Sequence, residues 1–429
     1  MSAEVKQATP RARMLTATTV VLILLCAMYG FAYTNRVIVG TASLVFKHDL
    51  HLTNVQVGLV FSAFAYPYMV CTALGGWLGD RFGARWSLAV LAVIWSGATI
   101  LMGLATSFAG MMSFGILLGI GQGPTFPIAT RAISDWLPKR KRAFAQGIMH
   151  SSSRLATAIT PPLVAWLILL VTWRGSFIVL GFLGLFWAVA WLIYFRNVPG
   201  EHPQITQEEL RELPASSASK SGERRKVPWG PLVRRMLPVT TVYFCYGWML
   251  WLYLAWIPNY FFHRYHLNMK SSAIFSAGVF FAGVLGDLLG GIVSDRILIR
   301  TKSLIMARRN VVVVSFLLAL ASLLLLFFVR HPAGAALCLS LAFFFTEFTI
   351  GPMWAIPMDI TPEFAGSASG LMNVGSPLAA VISPVVFGFV IDRTGNWNLP
   401  FIGSVAILLL GVAMAFWMRP DVEFHWAGE

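Results

Sequence analysis

Four charged side chains lie deep inside long apolar stretches of this sequence: Arg36, Arg154, Asp287 and Glu347. A charge at the centre of a lipid bilayer costs about 2.5–3.5 kcal/mol even on the lenient insertion scales, so such residues usually serve a function. A guanidinium group can grip both oxygens of a carboxylate, and a buried carboxyl group can exchange a proton. The four residues therefore predict anion binding and proton coupling inside a membrane.

Arg36 shares one helix face with two phenols, because Tyr29, Tyr33 and Arg36 follow one another at spacings of four and three. A guanidinium beside two phenols is a good carboxylate receptor. The alternative is that Arg36 forms a structural ion pair with Asp287 or Glu347.

Arg154 follows three serines in a later apolar stretch. If it faces the same cavity as Arg36, the site suits a dicarboxylate or an aromatic acid with two anionic groups. The alternative, which the sequence leaves equally open, is that Arg154 neutralises a buried acid.

A glycine-rich stretch at residues 75–85 separates the helices that must position these charges. Its small residues allow helices to approach closely, and its charges mark a sharp turn at the cytoplasmic membrane surface. The stretch returns in weaker form at residues 290–296, and Asp295 follows Asp80 by 215 positions, half the chain. We expect both turns to act as cytoplasmic gates through charge pairs at helix ends. The gating residues are Gly76, Asp80, Arg81, Arg85, Asp295 and Arg296.

A second echo supports a duplication, because Gly147 and Pro161 recur as Gly370 and Pro384 with the same offset of 223 residues. Parallel repeats in an apolar chain predict two similar helical bundles that face each other across a central site. The predicted division is 1–196 for the first bundle, 197–235 for a cytoplasmic linker and 236–429 for the second bundle.

Composition places the chain in a membrane, since 57% of its 429 residues are hydrophobic and only 12% are charged. Soluble proteins carry about 25% charged residues. The net charge of +14 does not indicate nucleic acid, because the cations are grouped in short segments between apolar runs, as in 220–226. The four cysteines lie in apolar runs, and no phosphate loop, zinc spacing or nucleophile–base motif occurs. We therefore predict no cofactor, no metal and no enzymatic activity.

About 20 apolar residues are needed to cross a bilayer, and this length predicts about twelve membrane helices. The basic N-terminal segment places both termini in the cytoplasm. Within the linker, residues 207–213 predict a short amphipathic helix on the membrane surface. The predicted membrane helices are 14–44, 54–78, 86–107, 109–136, 143–170, 174–196, 236–262, 271–296, 309–330, 334–359, 362–391 and 398–418.

The pattern Gly76-x-x-x-Asp80-Arg81-x-Gly83-x-Arg85 resembles the loop signature of the major facilitator superfamily. The segments 33–36 (Tyr-Thr-Asn-Arg) and 118–127 further resemble its anion:cation symporter group. That group includes importers of sugar acids and aromatic acids and vesicular carriers of acidic amino acids. The resemblance implies an all-α fold of two six-helix bundles and alternating access. It also implies that Tyr68 and Asn373 face the substrate.

The sequence departs from that group at two positions. Asn35 and Gln122 stand where the group usually has Asp and Glu, the carboxylates associated with proton coupling. Amides cannot titrate, so either the protein is not proton-coupled or the proton site lies elsewhere. We favour relocation to Asp287 and Glu347, with uncoupled diffusion or anion exchange as the alternative.

The sequence thus predicts a monomeric secondary transporter of the bacterial inner membrane that imports an organic carboxylate with protons. Sugar acids, dicarboxylates and aromatic acids remain open as substrates. A drug or cation exporter would show an acid in place of Arg36, and a non-transporting anion sensor would usually add an output domain. The predicted substrate-binding residues are Tyr33, Arg36, Tyr68, Gln122, Arg154 and Asn373.

Overall fold

The computed structural model describes residues 16–52, 54–213, 227–267 and 269–425. Within these ranges the chain is helical, with short 3-10 and π turns between some of the helices. The basic N-terminal segment and the basic stretch 220–226, which contribute to the predicted orientation, lie outside the described residues.

The helices of the first half are α1 (Ala17–Thr41), α2 (Ser43–Asp49), α3 (Asn54–Phe82), α4 (Ala84–Leu104), α5 (Phe108–Gln122), α6 (Thr125–Trp136) and α7 (Arg142–Tyr194). A short helix, α8 (Gln207–Glu212), follows. Those of the second half are α9 (Trp229–Tyr265), α10 (Met269–Thr301), α11 (Val311–Leu326), α12 (Pro332–Glu347), α13 (Ile350–Ile360), α14 (Ala365–Asn373), α15 (Gly375–Thr394) and α16 (Leu399–Ala415).

These helices make twelve crossings of a bilayer. Nine helical stretches in the described ranges are long and apolar enough to span, and the one at 139–194 contains two crossings, because Val171 and Thr172 leave helical geometry. The interrupted pair α5–α6 and the shorter α16 supply the remaining two. The predicted all-α fold of about twelve membrane helices is therefore confirmed.

The crossings assemble into two bundles. In the first, α1 and α4 pack on α7 and α3 packs on α5; in the second, α15 and α16 pack on α9 and α12 packs on α10 and α11. Between the bundles, α7 contacts α10 and α13, and α3 contacts α14. Glycines allow this close approach, since a Cβ added at Gly76 would overlap the backbone of Gly366, and one at Gly147 would overlap that of Asp287.

Helix α9 begins at Trp229, so its first two turns belong to the stretch predicted as linker. Pro231 fits the first turn, where a missing N–H breaks no helical hydrogen bond. The second turn contains Arg234 and Arg235. These charges explain why hydropathy alone predicts a later start for this membrane helix.

The linker begins as a strap on the first bundle. The capping box of α8 joins Thr206 and Glu209, and Glu209 Oε1 also accepts hydrogen bonds from the backbone N–H (3.2 Å) and the hydroxyl (3.0 Å) of Thr18. Burial alone would raise the pKa of Glu209, but the bonds from Thr206 and Thr18 outweigh it and the pKa lies below its usual value. Glu212 forms an ion pair with Arg140. The strap therefore ties the start of α1 to the turn before α7, and we call this side of the molecule the linker end.

Candidate functional site

A small cavity lies between the two bundles. It encloses about 50 Å³, little more than the roughly 30 Å³ that one water occupies in the liquid, so it must widen to admit an organic molecule. Helices α1, α3, α6 and α7 line one side, and α9, α13, α14 and α15 line the other. The lining residues are Tyr33, Arg36, Tyr68, Phe126, His150, Arg154, Tyr243, Tyr246, Leu250, Trp251, Trp354, Asn373, Ser376 and Pro377.

Arg36 reaches into the cavity inside a cage of aromatic rings. Its Cζ lies 4.7 Å from the ring centroid of Tyr33 and 4.5 Å from that of Tyr68, with Phe64 and Phe126 at 5.0 and 5.2 Å. Ring faces attract a guanidinium without neutralising it. Among the described residues no carboxylate pairs with Arg36, and its buried Nη2 has no hydrogen-bond partner. The cage therefore holds a net positive charge.

Gln122 fixes the position of Arg36. Its side-chain oxygen accepts a 2.6 Å hydrogen bond from Arg36 Nε, and its Nε2 donates to the carbonyl of Ala32 at 3.0 Å. Gln122 is fully buried and is not part of the cavity wall. The sequence predicts a direct substrate contact here; in the structure Gln122 instead contacts Arg36 and Ala32 from outside the cavity wall, and the predicted substrate contact stays a prediction.

Arg154 has a different environment, in which two buried acids surround it. Its Nη2 lies 3.1 and 3.2 Å from the two carboxylate oxygens of Glu347, and its Nε lies 3.7 Å from Asp287 Oδ2. The Tyr246 hydroxyl is 3.0 Å from Arg154 Nη2 and 2.9 Å from Glu347 Oε2. We call these four residues the acid cluster.

The acid cluster answers the question that the sequence left open. Arg154 both lines the cavity and pairs with Glu347 and Asp287 across the two bundles. Since the acids are engaged with Arg154, they are not the partners of Arg36. One guanidinium faces two carboxyl groups, and both oxygens of Asp287 lack a hydrogen-bond donor within the described ranges. The acid cluster therefore contains one more acidic than basic side chain.

The opposite wall of the cavity offers polar groups from the second bundle. Trp251 Nε1 donates to the hydroxyl of Ser376 at 3.2 Å. The side-chain nitrogen of Asn373 is buried and has no acceptor among the described residues. On the wall that carries Arg36, His150 Nε2 of α7 is likewise buried without a hydrogen-bond partner in the described part of the chain. The polar groups of the second bundle could contact the end of a substrate that points away from Arg36.

The linker end of the bundle interface is closed by carboxylates that bind helix N-termini. Asp80 accepts hydrogen bonds from the backbone N–H groups of Gly366 (3.1 Å) and Ser367 (2.7 Å), at the start of α14. Asp295 accepts one from the N–H of Phe144 (2.7 Å), at the start of α7. A carboxylate is favoured at a helix N-terminus by the free N–H groups and the helix dipole. Each repeat therefore provides a carboxylate that binds the N-terminus of a helix in the other repeat.

Buried arginines reinforce this closure. Arg308 pairs with Asp295 and Asp359, each at 2.9 Å, and donates to the carbonyl of Lys139 in the first half. Arg142 also pairs with Asp359, at 3.4 Å, so a single carboxylate joins one arginine from each half. Arg131 donates to the carbonyl of Glu363 at 2.6 Å on the other side of the interface.

Comparisons with known proteins agree with this architecture. The family model described as the Major Facilitator Superfamily matches residues 24–375. The chain belongs to the major facilitator superfamily. The probable sulfoacetate transporter SauU of Cupriavidus necator is 43% identical over 93% of this chain and 93% of its own, and the hexuronate transporter of Bacillus subtilis is 30% identical over 91% and 92%. The prediction that the protein is a transporter rather than an enzyme is confirmed.

Solved structures of the superfamily share the fold. The transporter FucP in the outward conformation matches with a TM-score of 0.72 and 14% identity, covering 94% of this chain and 99% of its own. A bacterial homologue of the human lysosomal transporter Spinster gives a TM-score of 0.56 and 15% identity, covering 93% and 96%. At these identities the likeness concerns the fold alone.

Five of the six predicted substrate-binding residues line the cavity between the bundles: Tyr33, Arg36, Tyr68, Arg154 and Asn373. The predicted gating residues divide into two groups. Gly76, Asp80 and Asp295 lie at the interface between the bundles. Within the described ranges, the arginines of the turns form no ion pair: Arg85 donates to the carbonyl of Leu192 within its own bundle, Arg81 packs on Trp77, and Arg296 is exposed.

The structure adds residues at the bundle interface that sequence reasoning missed, namely Arg131, Arg142, Arg308 and Asp359. In the sequence, the three arginines look like ordinary positive charges of cytoplasmic loops. One signal was available, because Arg308 follows Arg85 by 223 residues, the offset of the other repeated positions. An insertion after Arg296 hides this correspondence.

Proposed function

We propose that this protein moves a small organic anion across the membrane by alternating access, with Arg36 as its main anion-binding group. The observation that carries this proposal is the uncompensated charge of Arg36. Its guanidinium sits in an aromatic cage at the bundle interface, without a carboxylate partner among the described residues. An anion that enters the cavity supplies the missing partner and a bidentate match.

The relatives support an organic acid as the substrate, since their names concern sulfoacetate, hexuronate and galactarate or D-glucarate. We favour a short acid with two anionic groups. Arg36 and Arg154 both line the cavity, and rings make up much of its remaining wall. Sulfoacetate, which carries a carboxylate and a sulfonate, has this chemistry. Asn373 and Ser376 would then contact the second anionic group.

The acid cluster is proposed to couple transport to protons. When the substrate draws Arg154 towards the cavity, Glu347 and Asp287 lose part of their counter-charge and take up a proton, because two facing carboxylates cannot both stay ionised when buried. The proton and the anion would then move together, and an inward proton gradient would drive import. Anion exchange is the alternative for the same site.

Alternating access would proceed by opening the linker end, which we propose faces the cytoplasm of a bacterial inner membrane, because basic loop segments favour that side. Asp80 and Asp295 with their helix N-termini are the proposed gates. Asp80→Asn should shift the protein toward the state open at the linker end. This would be measured as increased labelling of a cysteine placed at Ser369, and unchanged labelling would argue against the gate.

The function is tested by thermal unfolding of the detergent-purified protein against a panel of organic anions and cations. A ligand at about 100 times its dissociation constant stabilises the folded state by roughly 2.7 kcal/mol, which shifts the melting temperature measurably. We expect stabilisation by short acids with two anionic groups, lost in Arg36→Gln and kept in the exposed control Arg300→Gln. Stabilisation by cations alone would mean that Arg36 is structural and would favour an exporter.

A further inference from the structure

A second, larger opening lies away from the substrate cavity, at the linker end of the second bundle. It is a groove of about 770 Å³ between the first turns of α9 and the chain that follows α16. It shares no lining residue with the substrate cavity. The lining residues are Gly230, Pro231, Arg234, Arg235, Pro238, Trp417 and Phe424. We call it the α9 groove.

The α9 groove carries two guanidinium groups with different roles. Arg235 Nη2 donates to the carbonyls of Arg419 (2.5 Å) and Val422 (2.9 Å), which fastens the C-terminal segment to α9. Arg234 is exposed, and no hydrogen bond or ion pair with a described residue occupies it. Asp421 and Glu423 are exposed on the segment that follows α16, but neither lines the groove. Arg234 is therefore a cation available to a ligand.

Exposed aromatic and apolar side chains surround the groove. Trp417 is 60% exposed and Trp229 is 38% exposed, as is typical of the aromatic belt at a membrane interface. Leu237, three residues after Arg234 and so on the same helix face, is 60% exposed. Phe416 is 57% exposed beside Trp417. The polar mouth of the groove thus leads into an apolar surface.

We propose that the α9 groove binds an anionic phospholipid, with the headgroup phosphate on Arg234 and an acyl chain along Leu237 and Trp417. A soluble phosphate compound would use the cation but not the exposed apolar surface. A protein partner would use the surface but has no need of a cation at headgroup depth. A phospholipid matches both features, and basic pockets at helix ends are known to favour anionic headgroups.

This assignment does not depend on the proposed transport function or on which leaflet the linker end faces. A bound lipid would bridge the start of α9 and the segment after α16, which Arg235 already joins. We therefore expect lipid binding to stabilise the second bundle rather than to change substrate selectivity.

The test is native mass spectrometry of the detergent-purified full chain titrated with phosphatidylglycerol. Arg234→Gln should weaken the retained lipid about fivefold, the equivalent of about 1 kcal/mol for one interfacial cation. Arg300→Gln removes a charge from an exposed position at the end of α10 and should retain lipid like the unmodified chain. Equal retention in all three proteins, or equal loss in both variants, would overturn the proposal.

Two further arms identify the source of the phosphate. Phosphatidylcholine in place of phosphatidylglycerol should be retained less, and to the same extent by the unmodified chain and Arg234→Gln; equal retention of the two lipids would refute a role for headgroup charge. Glycerol 3-phosphate added to the chain in phosphatidylcholine nanodiscs should leave the melting temperature unchanged. A rise in melting temperature that Arg234→Gln abolishes would assign the groove to a soluble phosphate and overturn the lipid assignment.

Discussion

Arg36 and Arg154 are the same residue type at similar depth, yet the fold gives them opposite surroundings. Arg36 is held by an amide and enclosed by rings, none of which carries negative charge. Arg154 contacts two carboxyl groups and a phenol that come from the second bundle. One guanidinium is left with unbalanced positive charge, and the other belongs to a cluster with an excess of acid.

Charge balance, more than residue type, distinguishes the two proposed roles. An uncompensated cation suits the proposed anion site, whereas a cation surrounded by excess acid suits the proposed proton site. Both arginines line one cavity, so a substrate that touches both would link anion binding to proton uptake. Four experiments test this contrast.

The largest effect is expected from Arg36→Gln, which removes the only charge of the aromatic cage. Loss of one partner from a buried charge contact costs about 2–5 kcal/mol, so anion binding should weaken at least about 30-fold and uptake into proteoliposomes should disappear. Arg36→Lys keeps the charge but not the planar fork, and should retain part of the uptake. Near-normal uptake by Arg36→Gln would remove Arg36 from the site.

Neutralising the acid cluster should separate transport from the proton gradient. The double variant Asp287→Asn with Glu347→Gln leaves Arg154 buried without a counter-charge, which costs about 3–5 kcal/mol, so Arg154→Gln is added to restore balance. The triple variant should still bind anion through Arg36 but should no longer accumulate it when a pH gradient is imposed. Unchanged proton-driven accumulation would disprove the proposed proton site.

Gln122→Glu should make the surroundings of Arg36 resemble those of Arg154, because it places a carboxylate beside Arg36. A carboxylate in place of the amide oxygen 2.6 Å from Arg36 Nε would compete with the substrate. Charged hydrogen bonds contribute about 1.5–3 kcal/mol, so anion binding should fall about tenfold at neutral pH and recover as the new carboxyl is protonated. The measurement is the anion affinity of the variant across a range of pH. A pH-independent affinity equal to that of the unmodified chain would contradict the role of charge balance.

The smallest change is Tyr246→Phe, which removes one hydroxyl from the acid cluster and nothing from the cage. The hydroxyl bonds Glu347 and contacts Arg154, and its loss should cost about 1 kcal/mol. We expect the pH dependence of uptake to shift while the affinity at saturating proton concentration stays within about twofold. A loss of affinity as large as that of Arg36→Gln would show that Tyr246 binds the substrate directly.

The sequence alone determined the features that depend on local composition. The membrane crossings follow from apolar runs, and the repeat follows from offsets of 215 and 223 residues. The four intramembrane charges are conspicuous in any hydropathy profile. The position of Tyr33 beside Arg36 also follows from helical spacing, because residues three apart share a face. The other rings of the cage, Phe64, Tyr68 and Phe126, come from α3 and α6 and depend on tertiary packing.

Only the tertiary structure decided which charges meet. Arg154 and Glu347 are 193 residues apart, and Asp80 and Ser367 are 287 apart, each pair across the interface between the bundles. Such contacts depend on the rotation of each helix and on the close approach that Gly76 and Gly147 allow. The helical period determines which residues share a face of one helix, but not which residues of other helices they contact. For this reason the sequence could favour Arg36 as the anion-binding residue but left open whether Arg154 binds the substrate or pairs with buried acids, a pairing that the structure shows.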